Sequence, residues 1–290
     1  MKDRTKKIIV LEIVVLVALL FLWGISHFGK NSGESMGSTQ EGALELPTMT
    51  VTFLDVGKGD CMVIETSEGA VMIDTGYDED GEDIVNWLTE KGIDNLSHLI
   101  LTHPDKDHIG GADTIIDEIG VGQIIETDCV VDSDDYTEYK EAAQDRGVTI
   151  LTLKDTKEIT LGSAVFTIYP PISTDFTGEN DYSLVTKLVY GATDFLFAGD
   201  SEEGRIDEVM QQIPNLKSMV LKVPHHGNLK DNSEEFFKKV SPKYSIITNN
   251  SKKAYEDVTK ILQNLNSQVY TTKQGAITVQ SDGINLSISQ

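Results

Sequence analysis

The segment Thr102-His103-Pro104-Asp105-Lys106-Asp107-His108-Ile109-Gly110-Gly111 packs two imidazoles and two carboxylates into six consecutive residues. It follows the apolar run Leu99-Ile100-Leu101, which reads as a buried strand, and it leads through Gly110-Gly111 into a helix-like stretch from Ala112 to Ile119. Side chains fixed at a strand end and a helix start are held rigidly. One His or Asp here would read as a turn residue or a helix cap. Four together, at this spacing, point to a metal-binding loop in an α/β fold.

The chain is long enough for one large domain or two small ones. Residues 1–7 form a short basic N-terminus with Lys2, Arg4, Lys6 and Lys7. Residues 8–25 are apolar except for Glu12 near the basic flank and are long enough to span a bilayer. By the positive-inside rule, residues 1–7 stay in the cytoplasm and everything after Ile25 lies outside the cell. A cleaved signal peptide is the alternative, which would give a secreted form, but no small-x-small cleavage site follows closely. A lipoprotein is disfavoured, because neither Cys61 nor Cys129 lies near the end of the apolar segment. Two cysteines are too few for a disulfide scaffold, and both read as buried free thiols.

Residues 26–47 are rich in Gly, Ser, Glu and Thr and read as a flexible tether, leaving residues 48–290 as the folded domain. The net charge of the whole chain is -23; without residues 1–30 the rest carries 19 basic against 45 acidic residues, or -26. So acidic a surface disfavours nucleic-acid binding through a broad basic patch, and an anionic substrate would have to be drawn in locally by metal. The expected partner is therefore the membrane, through the N-terminal anchor.

Strands are expected at Thr50 to Asp55, Met62 to Thr66, Val71 to Ile73 and His98 to Leu101, with a helix at Glu82 to Lys91. Further strands are expected at Val148 to Leu153, Ile159 to Leu161, Val165 to Tyr169, Leu184 to Tyr190, Phe195 to Ala198 and Met219 to Val223. The last third adds helices at Ser233 to Val240 and Tyr255 to Leu265 among strands at Tyr244 to Thr248, Val269 to Thr271, Ala276 to Val279 and Leu286 to Ile288. This mixture predicts helices outside two sheets. The acidic runs Asp78 to Asp83 and Asp132 to Asp135 lack the alternating ligands and closing Glu of a calcium loop and read as solvated helix starts.

Four of the six histidines fall in two places, the loop already described and His225-His226 in Lys222-Val223-Pro224-His225-His226-Gly227. Between them the apolar strand Phe195 to Ala198 ends in Gly199-Asp200, which puts a carboxylate at a sheet edge. Strand ends line the functional crevice of α/β proteins, so His- and Asp-bearing ends can converge. His27 and His98 read as ordinary. Asp200 could equally cap a helix starting near Ser201.

Together these motifs resemble a metallo-β-lactamase-fold hydrolase, and specifically the metallo-β-lactamase-like domain of the ComEC family of DNA-uptake competence proteins. The likeness runs from Met49 to about Ser287. It is carried by Phe53-Leu54-Asp55-Val56-Gly57-Lys58-Gly59-Asp60, Met72-Ile73-Asp74-Thr75-Gly76, the His103 loop, Glu179-Asn180-Asp181-Tyr182-Ser183-Leu184-Val185, Ala198-Gly199-Asp200 and His225-His226-Gly227.

The resemblance implies a four-layer αββα sandwich preceded by one transmembrane helix. It also implies His103 and Asp105 at a first metal, Asp107 and His108 at a second, and Asp200 bridging. A terminal histidine on the second metal is His226 by its position, with His225 open as a metal or substrate contact. Asp105 stands where the superfamily has a second His, and Asn180, Asp181 and Ser183 occupy the place of a further one, so they too are candidate contacts. Replacing imidazole by oxygen makes a site harder, so manganese becomes a candidate beside zinc, with one or two ions bound. Lys58 and Asp60 sit in a turn that reads equally as a hairpin turn or a substrate contact. Asp74 is expected to brace the metal loop by hydrogen bonding.

The implied activity is a membrane-anchored, extracytoplasmic metal-dependent hydrolase, a phosphodiesterase or nuclease acting through a metal-activated hydroxide, with Asp107, Asp200 and His226 catalytic. The alternatives are hydrolysis of a small ester, lactone or phosphoester, which the acidic surface favours, and a non-catalytic binding domain on the same fold. The missing third histidine bears on the last of these.

Overall fold

Alternating apolar residues draw the strands into two sheets that share one core. Residues 46–251 and 255–290 are described by the computed structural model. Strands β1 (Met49–Phe53), β2 (Met62–Thr66), β3 (Gly69–Ile73), β4 (Asn95–Leu101), β5 (Gly120–Val121), β6 (Gln123–Thr127) and β7 (Thr149–Leu153) build a first sheet. A second sheet takes β8 (Lys157–Leu161), β9 (Ala164–Tyr169), β10 (Val185–Tyr190), β11 (Thr193–Phe197), β12 (Val220–Lys222), β13 (Tyr244–Ile247) and β14 (Gln268–Thr271). The chain then returns to the first sheet with β15 (Ile277–Ser281) and β16 (Leu286–Ser289). The sheet orders are β16-β15-β1-β2-β3-β4-β6-β7, with β5 paired to β4, and β14-β13-β12-β11-β10-β9-β8.

In β9 the period of two is plain: Ala164, Phe166 and Ile168 are buried while Val165, Thr167 and Tyr169 are only partly so. The inner faces of both sheets meet in one core that includes Phe53, Ile73, Ile100, Phe166, Phe195 and Phe197. Helices α1 (Gly81–Glu90), α3 (Ala112–Glu118) and α4 (Asp134–Arg146) cover the outer face of the first sheet, with Leu88, Ile115 and Tyr139 packed with Met72, Leu99 and Ile124. Helices α5 (Glu203–Gln212), α6 (Ser233–Val240) and α7 (Glu256–Asn264) do the same for the second, through Ile206, Phe237 and Leu262. The result is the four-layer αββα arrangement. A one-turn helix, α2 (Lys106–Ile109), falls within the His103 loop.

Each sheet contains a parallel run, β3-β4-β6 in the first and β11-β12-β13 in the second. Chain segments leaving the carboxyl ends of these strands carry all the residues that meet at the site described below, as parallel α/β topology favours.

Two elements were not expected, one expectation is corrected, and the N-terminal ones lie outside the described residues. The strand β6 and most of α4 have weak sequence signals: β6 has only Ile124-Ile125 as its apolar pair, and α4 buries just Tyr139, Ala142 and Ala143. The acidic run before α4 does start that helix, with the Ser133 hydroxyl accepting from the Tyr136 N–H. Cys129 is half-buried in the loop after β6 and so differs from the fully buried Cys61. The expected anchor at 8–25, His27 and nearly all of the tether at 26–47 lie outside the described residues. Among the described residues, no helix is long and apolar enough to cross a membrane.

Candidate metal centre

Directly after β4, Thr102 and His103 enter the loop, and α2 turns Asp107 and His108 back toward the strand ends. The loop is tied to the first sheet by backbone bonds: Thr75 N–H donates to the His108 carbonyl at 2.7 Å and Asp60 N–H to the Asp107 carbonyl at 3.0 Å. Close approach demands Gly59, where a Cβ would lie 2.8 Å from the Asp107 carbonyl oxygen. Across the sandwich, Gly199 turns the chain out of β11 at φ +53°, with Ser183 filling the space a Cβ would need, and so delivers Asp200. His225 and His226 sit in consecutive left-handed conformations (φ 46° and 51°) after β12. Such backbone in a non-glycine residue costs about 1–3 kcal/mol and persists where surrounding contacts impose it.

These segments bring His103, Asp107, His108, Asp200 and His226 together, all buried. The rings of His103 and His108 are 4.1 Å apart, and those of His108 and His226 5.3 Å. Ligand-capable atoms of His103, His108 and Asp200 lie within 4.8 Å of one another, and so do those of Asp107, His108 and His226. Asp200 Oδ1 is 3.3 Å from His108 Nε2, and its Oδ2 is 3.0 Å from His226 Nε2, so the carboxylate spans both groups. Asp105 Oδ2 lies 3.6 Å from His103 Nε2, with its side chain 36% exposed.

The deciding feature is what the imidazoles do not do. The Nε2 atoms of His103, His108 and His226 are buried and have no hydrogen-bond partner among the described residues, although carboxylate oxygens stand near. A buried nitrogen without a partner is costly. Three converging on two carboxylates fit a bound cation, with the nitrogens and oxygens facing it and not each other.

The far nitrogens are braced. His108 Nδ1 is 2.8 Å from Asp74 Oδ2, and Asp74 also accepts from the Thr102 N–H at 2.7 Å and the Thr102 hydroxyl at 2.8 Å. His226 Nδ1 is 2.9 Å from the Thr248 carbonyl. Thr102 Oγ1 is 3.1 Å from His103 Nδ1. These contacts fix which nitrogen faces inward, as orienting partners do in metal sites. Asp74 does brace the loop in this geometry, from a left-handed backbone of its own at φ 57°.

Burial alone would lower the pKa of His108, but Asp200 and Asp74 outweigh it and raise it well above the usual imidazole value. Burial is likewise overcome at His226, chiefly by Asp200, and its pKa rises. Burial would raise the carboxyls of Asp107 and Asp200, yet His226 and His108 hold both below the ordinary range. At His225 burial prevails and lowers the imidazole. The charged forms of His108, His226, Asp107 and Asp200 thus favour one another.

Other predicted residues sit elsewhere. Asp60 is fully buried, accepts from the Thr248 hydroxyl at 2.6 Å and pairs with Lys222, so it cannot touch substrate. Asp181 accepts from the N–H groups of Glu202 and Arg205 at 2.9 and 3.0 Å, which caps α5 and keeps it from the centre. The buried Ser183 hydroxyl donates to the Asn180 carbonyl and accepts from the Asp200 N–H, an orienting position. The Asn180 amide donates to Glu202 at 3.2 Å. Lys58, half exposed, reaches Asp107 at 3.3 Å from the rim. Glu202 stands 3.0 Å from His225 Nδ1, while His225 Nε2 is 3.8 Å from Asp200 Oδ2.

Sequence reasoning missed Lys222, Thr102, Thr248 and Glu202. Lys222 had a signal, a lysine inside the buried strand Met219 to Val223, where lysine is rare unless paired.

The family model described as the metallo-beta-lactamase superfamily matches residues 54–248. The chain belongs to that superfamily. It is 32% identical over 246 residues to ComE operon protein 3 of Bacillus subtilis (strain 168), covering 77% of this chain and 32% of that protein. To competence protein ComA of Neisseria gonorrhoeae it is 27% identical over 221 residues, covering 74% and 29%. The chain therefore spans about a third of the length of these curated relatives. Among solved structures it resembles the metallo-beta-lactamase fold protein YhfI of Bacillus subtilis, with TM-score 0.56 and 11% identity, covering 79% of this chain and 99% of that one. That likeness speaks to fold alone.

Proposed function

We propose that this superfamily member is a metal-dependent phosphodiesterase whose ligands are His103, Asp105, Asp107, His108, Asp200 and His226. The observation that carries the reading is the convergence, on the carboxylates of Asp107 and Asp200, of three buried Nε2 atoms that have no hydrogen-bond partner among the described residues. Bound divalent metal would supply water activation and charge neutralisation. The chain's own part is to aim the ligands, exclude bulk water from the buried half, and present Lys58 at the rim as a point charge for an anionic group. The phosphodiester assignment draws on the competence-protein relatives. The oxygen-rich first half, with Asp105 in place of an imidazole, favours manganese alongside zinc. The reading includes anchoring through residues 8–25, with the catalytic domain outside the cytoplasm.

A second reading, a small phosphoester or another small ester as substrate, is favoured by one observation. The cleft of about 580 Å³ beside the centre is lined by Asp105, Asp107, Asp132, Asp135 and Glu179 against a single lysine, Lys106. Such a wall repels a long polyanion. The test is hydrolysis of bis(p-nitrophenyl) phosphate and of linear DNA by manganese- or zinc-loaded protein. Turnover of both supports a nuclease, and turnover of the small diester alone supports the second reading. Metal-loaded protein inert on both, while folded, leaves a binding domain.

A further inference from the structure

Behind the metal centre lies a charge pair that the proposed reaction does not use. Lys222, on β12, is completely buried. Its ammonium contacts Asp60 Oδ2, donates to the Gly199 carbonyl at 3.0 Å and stands 3.4 Å from Asp200 Oδ1. Asp60, equally buried, uses its other oxygen to accept from the Thr248 hydroxyl at 2.6 Å. Thr248 in turn supplies the carbonyl that faces His226 Nδ1 at 2.9 Å, with its hydroxyl 3.2 Å from the same nitrogen.

A buried ion pair is poor stabilisation for its own sake, because desolvating two charges offsets most of their attraction. An apolar pair of the same volume would serve the core equally well. The pair's contacts instead run to two proposed ligands. Through Gly199 and Asp200 Oδ1, Lys222 fixes the carboxylate that spans both halves of the centre. Through Asp60 and Thr248, it fixes the ring of His226 with Nε2 turned inward. Its ammonium also contacts Asp60, which belongs with Asp74 and His108 to a third group of mutually close ligand atoms. With Lys222 on Asp60 and His108 Nδ1 facing Asp74 at 2.8 Å, all three members of that group already have partners within the protein.

We propose that the Lys222–Asp60 ion pair is a positioning device for the metal centre, setting Asp200 and His226 for divalent-cation binding and closing the third carboxylate group to metal. The inference rests on the ligand assignment above. Lys222 and Asp60 touch neither substrate nor reacting atoms and are not catalytic residues.

The test is the double variant Asp60→Asn/Lys222→Met in the full chain, which removes both charges and so avoids leaving either one buried alone. It is compared with the parent by metal stoichiometry after dialysis and by the visible absorption of the cobalt-loaded protein. The expected result is a folded protein with at least a tenfold weaker retention of one ion and a changed cobalt spectrum, an effect of the size seen when orienting partners of metal ligands are removed. Thr248→Val, which removes only the hydroxyl link, should shift both readings the same way by less, and it carries the test if the double variant does not fold. Parent-like stoichiometry and spectrum in the folded variants would overturn the inference and leave the ligand assignment standing. A parent that binds no divalent metal would overturn both.

Discussion

The two halves of the proposed metal centre are built differently. On one side His108 and His226 are buried, each with its outer nitrogen braced, His108 by Asp74 and His226 by Thr248, and Asp107 lies between them. On the other, His103 is equally buried and has the Thr102 hydroxyl 3.1 Å from its outer nitrogen, but its neighbour Asp105 is a carboxylate 36% exposed and 3.6 Å away, and the Asn180–Ser183 segment supplies no further imidazole. Preorganised ligands bind tightly because little ordering remains to be done. The braced half is thus the one expected to keep its ion, and the open half the one expected to exchange it.

Removing a ligand from the braced half should have the largest effect. His108→Ala is expected to bring hydrolysis of bis(p-nitrophenyl) phosphate to background and to lose at least one ion by metal analysis; a variant keeping the parent's rate and metal would break the comparison. Asp105→Ala should lose one ion and keep the other, with activity partly restored by excess manganese. Loss of both ions there would show that the halves do not differ. Next comes Asp74→Asn, which weakens the brace on His108 without touching the cation and should cost about 10–100-fold in metal affinity, read by chelator competition.

The pH dependence follows from the raised imidazoles. Without metal, the contribution of His108 and His226 to stability is full below the ordinary imidazole pKa and is lost as pH rises through their elevated folded values. Metal must displace those protons, so its affinity grows over the same range. The gap in Tm between metal-loaded and metal-free protein should therefore widen from about pH 6 to about pH 8; a constant gap would mean the ions bind elsewhere. The smallest effect belongs to Lys58, an exposed rim charge. Lys58→Gln should lower kcat/KM for an anionic diester by roughly a few-fold, mainly through KM and less at high salt.

Much of this was legible along the chain because it is local. His103 to His108 lie within a single loop whose flanking strand and helix are marked by their own apolar patterns, and Gly199-Asp200 and His225-His226 each follow an apolar strand. Elements with strong periodicity, such as β2 and α6, fall at their expected limits. Elements lacking it, β6 and most of α4, are absent from the sequence reading. Asp181 and Ser183 show the limit of motif reading: both stand in the right segment, but one caps α5 and the other holds Asp200, since a carboxylate or hydroxyl serves as readily for a hydrogen bond as for a ligand.

The residue types at the proposed centre, the strands that end in them and the superfamily of the chain are legible from local pattern, because each depends on neighbours a few positions apart. How the proposed ligands are aimed depends on contacts between segments far apart in the chain. The Asp60–Thr248 bond joins residues 188 positions apart, and Asp74 meets His108 across 34. Such pairings arise when two sheets pack and polar groups buried between them pair with one another across the sequence. Those long-range pairings, invisible in any local pattern, turn the Nε2 atoms of His103, His108 and His226 inward, without a hydrogen-bond partner among the described residues.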